Sequence, residues 1–252
     1  MLIFMGAQTL KTLSETQLAT FDHDYVNDES FNVIAAAIDS DFRDGEFTFL
    51  DVGAGKGLFA DRVLDRYPRS TGVALDTSES LLAQNRQHGR KRLSRVSATE
   101  VARHYPCGAF DIIFFNFSLH HFVGDTYEQS RTFQRVALSQ AKKLLAPWGR
   151  ISVLENAYEG AVHHNLPGYL TYTLARSTTL APLIRRLGAN TAGCGVCFLS
   201  TSAWRAEFSR AGLREAAHNH RALPVYSWTQ HLKLRLLTLR GVNHAHFWLA
   251  TA

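Results

Sequence analysis

Cysteine and proline are both sparse in this chain, and no long apolar run interrupts it: 252 residues hold three cysteines and six prolines. Three cysteines, Cys107, Cys194 and Cys197, are too few and too odd in number for a disulfide framework, which fits a reducing compartment. The longest apolar stretches are Ile112–Phe117, too short to cross a bilayer, and Leu232–Leu239, which Lys233 and Arg235 break. Met1–Met5 is apolar but has no basic residue before it and is too short for a signal-peptide core. These absences point to a soluble, cytoplasmic protein without a membrane span. Internal repeats and low-complexity tracts are absent as well, which excludes solenoids and disordered tails.

What is present is ordinary for a globular protein. Hydrophobic residues make up 46% and charged residues 19%. The length suits one large domain, which would bury about 70–75% of its unfolded surface. The net charge is +5, and the densest basic run is Arg86–Arg95, with Arg86, Arg90, Lys91, Arg92 and Arg95. A surplus this small reads as a solvated surface and disfavours a nucleic-acid partner.

Pattern reading places helices in residues 1–45, including one with Phe31, Ile34, Ala35 and Ile38 on its inner face behind Asp28 and Glu29. From Phe47 the chain alternates. Strands are expected at Phe47–Val52, Thr71–Leu75, Leu93–Ser97, Asp111–Phe117 and Arg150–Glu155, with helices at Leu58–Tyr67, Ser78–His88 and Tyr127–Leu145. That alternation argues for a doubly wound α/β sheet with ligands at the carboxyl ends of the strands. Residues 46–155 are read as the core of the sheet, expected to bind the ligand, and 156–211 as a helical cap after strand five. Residues 212–252 complete the sheet with strands at Leu213–Ala222 and His244–Ala252, separated by a helix near Trp228–Leu239. Trp204, Phe208, Leu232, Leu236 and Leu239 are read as core.

The chemistry starts at Leu50-Asp51-Val52-Gly53-Ala54-Gly55-Lys56-Gly57, where a strand feeds a glycine turn that opens a helix. The spacing is G-x-G-x-G, not the dinucleotide spacing G-x-G-x-x-G, and Asp51 stands two residues before the first glycine. A carboxylate there suits an ammonium or sulfonium better than a pyrophosphate. Asp76 ends the second strand, where a carboxylate can accept hydrogen bonds from ribose hydroxyls.

Together with Asp111–Phe117 and Leu144–Gly149, these motifs resemble those of the class I S-adenosylmethionine-dependent methyltransferases, and Asn116-Phe117-Ser118-Leu119-His120-His121 resembles their small-molecule branch. The resemblance implies a seven-stranded Rossmann-like methyltransferase sheet whose last strand is antiparallel, and S-adenosylmethionine as cofactor. It implies that Asp51, Gly53, Ala54, Gly55 and Gly57 surround the methionine part and that Asp76 and Thr77 hold the ribose. Asn116 and Phe117 would face the cofactor. The acid that often follows strand three in that family is replaced by Ser97-Ala98, so adenine recognition falls to backbone groups and Ser97.

The expected reaction is SN2 methyl transfer to a small-molecule acceptor, at an oxygen of an aromatic or natural-product-like compound. One of His120 and His121 is expected to face the pocket as base. Tyr158, His163 and Tyr169 are the candidate substrate residues. An RNA methyltransferase and a non-catalytic cofactor-binding partner protein stay open as alternatives. The chain is read as a monomer or homodimer without a metal. Cys194-x-x-Cys197 is a weak zinc signal, and His244, His246 and Trp248 read as a half-exposed strand face.

Overall fold

The structure is a computed structural model that describes residues 10–18, 24–186, 190–224 and 235–252. Two helices come first, α1 (Glu15–Leu18) and α2 (Asp28–Asp41). Asn27 caps α2 by accepting from the Ser30 N–H, Asp28 and Glu29 fill its positive first turn, and Phe31, Ile34, Ala35 and Ile38 form its buried face as the spacing predicts.

The alternating region folds as β1 (Thr48–Val52), α3 (Leu58–Arg66), β2 (Thr71–Asp76), α4 (Glu79–Leu82), β3 (Lys91–Arg95), β4 (Phe110–Asn116), α5 (Tyr127–Leu144) and β5 (Leu145–Gly160). Two cap helices follow, α6 (Leu166–Arg176) and α7 (Ala181–Arg186), then α8 (Thr201–Arg210), β6 (Leu213–Ala222) and β7 (Leu239–Thr251). The seven strands run in the order β3-β2-β1-β4-β5-β7-β6. The first five are parallel, and β7 is antiparallel to both its neighbours.

Alternation along the central strands feeds two separate cores. Leu50 and Val52 join Ile113, Phe115, Trp204 and Phe208 on one side. Phe49 joins Phe59, Phe114, Ile34 and Trp248 on the other. Strands buried on both faces read as continuous apolar runs, and the strand expected over Asp111–Phe117 forms as β4 one residue earlier. Strand order reverses between β1 and β4, so their carboxyl ends frame the crevice where such sheets bind ligands.

Several expectations are corrected. The helix expected over Ser78–His88 stops at Leu82, because the Asn85 side chain turns back to donate to the carbonyls of Gly55 (2.9 Å) and Leu81 (3.4 Å). β5 begins directly at Leu145, and Ala146–Gly149 bulges from its ladder rather than separating helix from strand. The helix near Trp228–Leu239, with Leu232, lies outside the described residues as far as residue 234. Leu236 is exposed rather than core, and Leu239 opens β7. The face of His246 and Trp248 is buried, not half-exposed: His246 Nε2 meets Ser152 Oγ at 3.0 Å and Trp248 Nε1 donates to Asp41 at 2.9 Å.

Candidate active site

A cavity of ≈ 1020 Å³ opens at the carboxyl ends of β1, β2 and β4 and runs under the cap helices. That is the upper end of the range for small-molecule sites and leaves room for two ligands side by side.

The glycine turn shapes one end. Gly53 and Gly57 take φ of +76° and +73°, and each is hemmed in: a Cβ on Gly53 would lie 2.7 Å from Ser118 Cβ, and one on Gly57 1.8 Å from Asn85 Oδ1. The turn spends its N–H groups internally. Gly53 and Ala54 donate to the Leu75 carbonyl (2.8 and 3.0 Å), Gly55 to Asp76 Oδ2 (2.9 Å) and Gly57 to the Ala54 carbonyl (2.8 Å). A phosphate cradle needs those donors free. This turn is therefore built to let a ligand lie close, not to grip an anion.

Acidic groups lie beside it. Asp51 is 2% exposed, and its Oδ2 has no hydrogen-bond partner although it lines the cavity. Burial, then the charges of Asp24 and Asp76, push its carboxyl up to about 8. Asp76 sits at the rim with one oxygen on the Gly55 N–H and the other on the Ser78 N–H, both at 2.9 Å. Each of those oxygens keeps a lone pair for a ligand hydroxyl. Burial raises the Asp76 carboxyl while these backbone donors oppose the shift. Asn116 lines the same wall with both side-chain polar atoms buried and unpartnered. Phe117 beside it holds a positive φ of 49°, a strained value for a side chain of that size. Thr77, Ser97 and Ala98 also line this end. Gly57 does not, and acts one layer back, against Asn85 and Lys91. Orphaned carboxylate, orphaned amide and rim aspartate together fit a ligand that is cationic at one end and carries a ribose.

The other end is aromatic. His120 follows β4 in a 3-10 turn, Leu119–His121, and its ring is held by the fully buried Glu155 of β5, with Nδ1 2.7 Å from Oε2. The His120 ring stacks on Phe198 (4.7 Å), and Phe198 stacks nearly parallel on Tyr158 (4.3 Å, 8°). The sequence reading expected only one of the paired histidines to face the pocket. Both line it, because the 3-10 turn brings their rings to 4.1 Å. Burial holds the His121 imidazole well below its ordinary range, so it is neutral. Burial also pushes the Tyr158 hydroxyl up to about 12.

Two expected substrate residues lie elsewhere. Tyr169 is half-exposed and packs edge-on against Tyr127, outside the cavity lining. His163 is exposed in the turn after β5. Leu174, Ala175 and Thr171 of α6 supply the wall in their place, and Phe198 is a site residue that motif reading missed.

The basic run is largely consumed within the fold. Lys91 pairs with Asp61 at 2.6 Å, Arg86 with Asp65 at 3.1 Å and Arg95 with Glu79, while Arg90 donates to three carbonyls. Cys197 is buried with its sulfur against the Tyr127 carbonyl, and Cys194 faces the Thr12 carbonyl. No helix among the described residues is long and apolar enough to cross a membrane.

Comparison with known proteins agrees with this geometry. A family model described as a methyltransferase domain matches residues 50–151. The chain is 32% identical over 120 residues to the ubiquinone/menaquinone biosynthesis C-methyltransferase UbiE of Paracoccus denitrificans, covering 45% of this chain and 43% of that one. It is 29% identical over 126 residues to a malonyl-[acyl-carrier protein] O-methyltransferase of Geobacter sulfurreducens, covering 45% and 44%. The chain thus spans less than half the length of the curated relatives it matches. Among solved structures, the MccD protein superposes with a TM-score of 0.64 at 10% identity, covering 91% of this chain and 100% of that one. The [4+2]-cyclase SpnF superposes with a TM-score of 0.60 at 15% identity, covering 90% and 84%.

Proposed function

We propose that this chain, which carries the class I S-adenosylmethionine-dependent methyltransferase domain, transfers a methyl group to a hydroxyl oxygen of a small aromatic or natural-product-like acceptor. The observation that supports oxygen is His120 in the wall of the cavity, held from behind by the buried Glu155 at 2.7 Å. Glu155 accepts from Nδ1–H, which leaves Nε2 as the basic nitrogen. His120 is the proton acceptor at Nε2, and Glu155 positions the ring and steadies the imidazolium that forms.

The residues suit the cofactor end by end. Asp51 and Asn116 would hold the amino-acid portion, Asp76 and Thr77 the ribose, and Ser97 with Ala98 would flank the base. When bound, S-adenosylmethionine supplies an electrophilic methyl carbon on a sulfonium. The stack of His120, Phe198 and Tyr158 would form one wall against which the acceptor ring packs, with its hydroxyl directed toward His120. His120 would take the hydroxyl proton as the oxygen takes the methyl group, leaving the bound cofactor as the neutral thioether, so that charge and atoms balance. The cap helices exclude water, and in-line positioning supplies most of the acceleration.

Small-molecule acceptors also fit the relatives: UbiE is named a C-methyltransferase and the Geobacter protein an O-methyltransferase. The test is to incubate the protein with labelled S-adenosylmethionine and a panel of hydroxylated aromatics, then assign the methyl position by NMR. An O-methyl product supports the reading; methyl on carbon or nitrogen, or no transfer, contradicts it.

A further inference from the structure

We infer that Asp24, in the segment before α2, is a second carboxylate for the ammonium group of the cofactor, set beside Asp51 by the guanidinium of Arg62. The inference rests on the cofactor reading above and adds a recognition residue to it.

Asp24 and Asp51 come from distant parts of the chain yet line the same cavity. Asp51 is the independent sign of a ligand, being almost wholly buried with an oxygen that no protein group meets. A buried carboxylate without a donor is costly, and a cation is the group that relieves it. Lys91 is too far engaged to serve: its ammonium is held by Asp61 at 2.6 Å and by Asn85 Oδ1 at 3.2 Å. Lys11, also in the lining, pairs with Asp125.

What brings Asp24 there is a single side chain. Arg62 belongs to α3, the helix that the glycine turn opens, so it is fixed relative to Asp51. Its Nη1 donates to Asp24 Oδ2 at 2.8 Å and to the Val26 carbonyl, its Nη2 donates to Asp28 Oδ1 at 2.9 Å, and its guanidinium lies 4.2 Å over the Phe31 ring. Four contacts within eight residues tie residues 24–31 to the cofactor helix. The Val26 N–H donates to Asp24 Oδ1 at 2.9 Å, which fixes the carboxylate plane.

Electrostatics agree with this placement. After burial, Asp24 is the leading neighbour raising the Asp51 carboxyl, ahead of Asp76. Two carboxylates facing one cavity repel each other when it holds no cation, and an ammonium group between them converts that repulsion into binding. Asp28 shares the same guanidinium but is 97% exposed at its side chain, so it serves as the control.

The experiment is calorimetric titration of the full chain with S-adenosylhomocysteine and with 5′-methylthioadenosine, which lacks the ammonium-bearing end. Asp24→Asn is expected to weaken S-adenosylhomocysteine by about tenfold, the loss of one charged hydrogen bond, and to leave 5′-methylthioadenosine unchanged. Arg62→Met should do the same, with no further loss in the double variant, while Asp28→Asn changes neither ligand. Unchanged 5′-methylthioadenosine binding also reports that the variants are folded. The proposal is overturned if Asp24→Asn leaves S-adenosylhomocysteine binding intact, or weakens both ligands alike, since the segment would then act only by packing. Failure of the wild-type chain to bind S-adenosylhomocysteine at all would instead remove the cofactor reading on which it rests.

Discussion

Glu155 holds His120 twice, accepting the His120 backbone N–H on Oε1 at 3.3 Å and meeting ring Nδ1 with Oε2 at 2.7 Å. Both contacts come from one fully buried carboxylate in β5, so the ring's tautomer and its direction are fixed from behind. A positioned base of this kind contributes about 10²–10⁴-fold to rate. Glu155→Gln keeps an acceptor for the backbone N–H but offers an amide to the ring. It should lower kcat with little change in KM, and by less than His120→Ala does. Steady-state kinetics with one phenolic acceptor check the ordering.

Asp51 makes ligand-free stability depend on pH. Its carboxyl is raised from an ordinary 3.8 to about 8, so between those values the folded chain holds a proton that the unfolded chain has lost. Stability of the ligand-free protein therefore falls as pH rises through that window. Asp51→Asn removes this dependence. The variant should melt above wild type at pH 8 and close to it at pH 4, with each kcal/mol relieved raising Tm by roughly 2–4 °C. It should also lose affinity for S-adenosylhomocysteine. Thermal melts at the two pH values, with and without ligand, decide it.

Gly53→Ala places a Cβ 2.7 Å from Ser118 Cβ at a φ of +76°. The expected cost is about 1–3 kcal/mol from the backbone strain, with the contact added to it. Adding Ser118→Gly should return the contact part but not the strain. Urea denaturation of the single and double variants separates the two.

Lys91 is 1% exposed at its side chain and bound to Asp61. Removing one partner of a buried pair is expected to cost about 3–5 kcal/mol. Lys91→Met should therefore destabilise strongly, and Lys91→Met with Asp61→Leu should cost less than the single change. A double-mutant cycle by urea denaturation checks this.

The aromatic stack divides the tyrosines. Tyr158→Ala and Phe198→Ala should raise KM for an aromatic acceptor, because they remove the rings that face the cavity. Tyr169→Ala should leave KM near wild type, since Tyr169 packs on Tyr127 instead.

The end of the cavity built around the glycine turn was legible because its determinants are local. Asp51, the glycine turn and Asp76 sit at strand ends that hydrophobic pattern alone locates. At the aromatic end His120, His121 and Tyr158 were legible, but their partners were not, because that end is assembled across distance. Phe198 reaches His120 from a loop 78 residues on, and Glu155 meets it from the next strand. Tyr169 and His163 have the right composition, but α6 turns one outward and the turn after β5 exposes the other. The helix expected over Ser78–His88 is cut short for a similar reason: Asn85 bonds to Gly55, thirty residues earlier in the chain. Asp24 carried no motif, and it stands at the cavity held by Arg62 and the Val26 N–H.

The most direct test of the account is methyl transfer from labelled S-adenosylmethionine to a hydroxylated aromatic acceptor, measured in wild type and in His120→Ala at saturating cofactor. The account predicts an O-methylated product from wild type, and a rate lower by about 10²–10⁴-fold in the variant with S-adenosylhomocysteine affinity unchanged. An undiminished rate in His120→Ala, or a wild-type chain that binds the cofactor and methylates no oxygen, would contradict it.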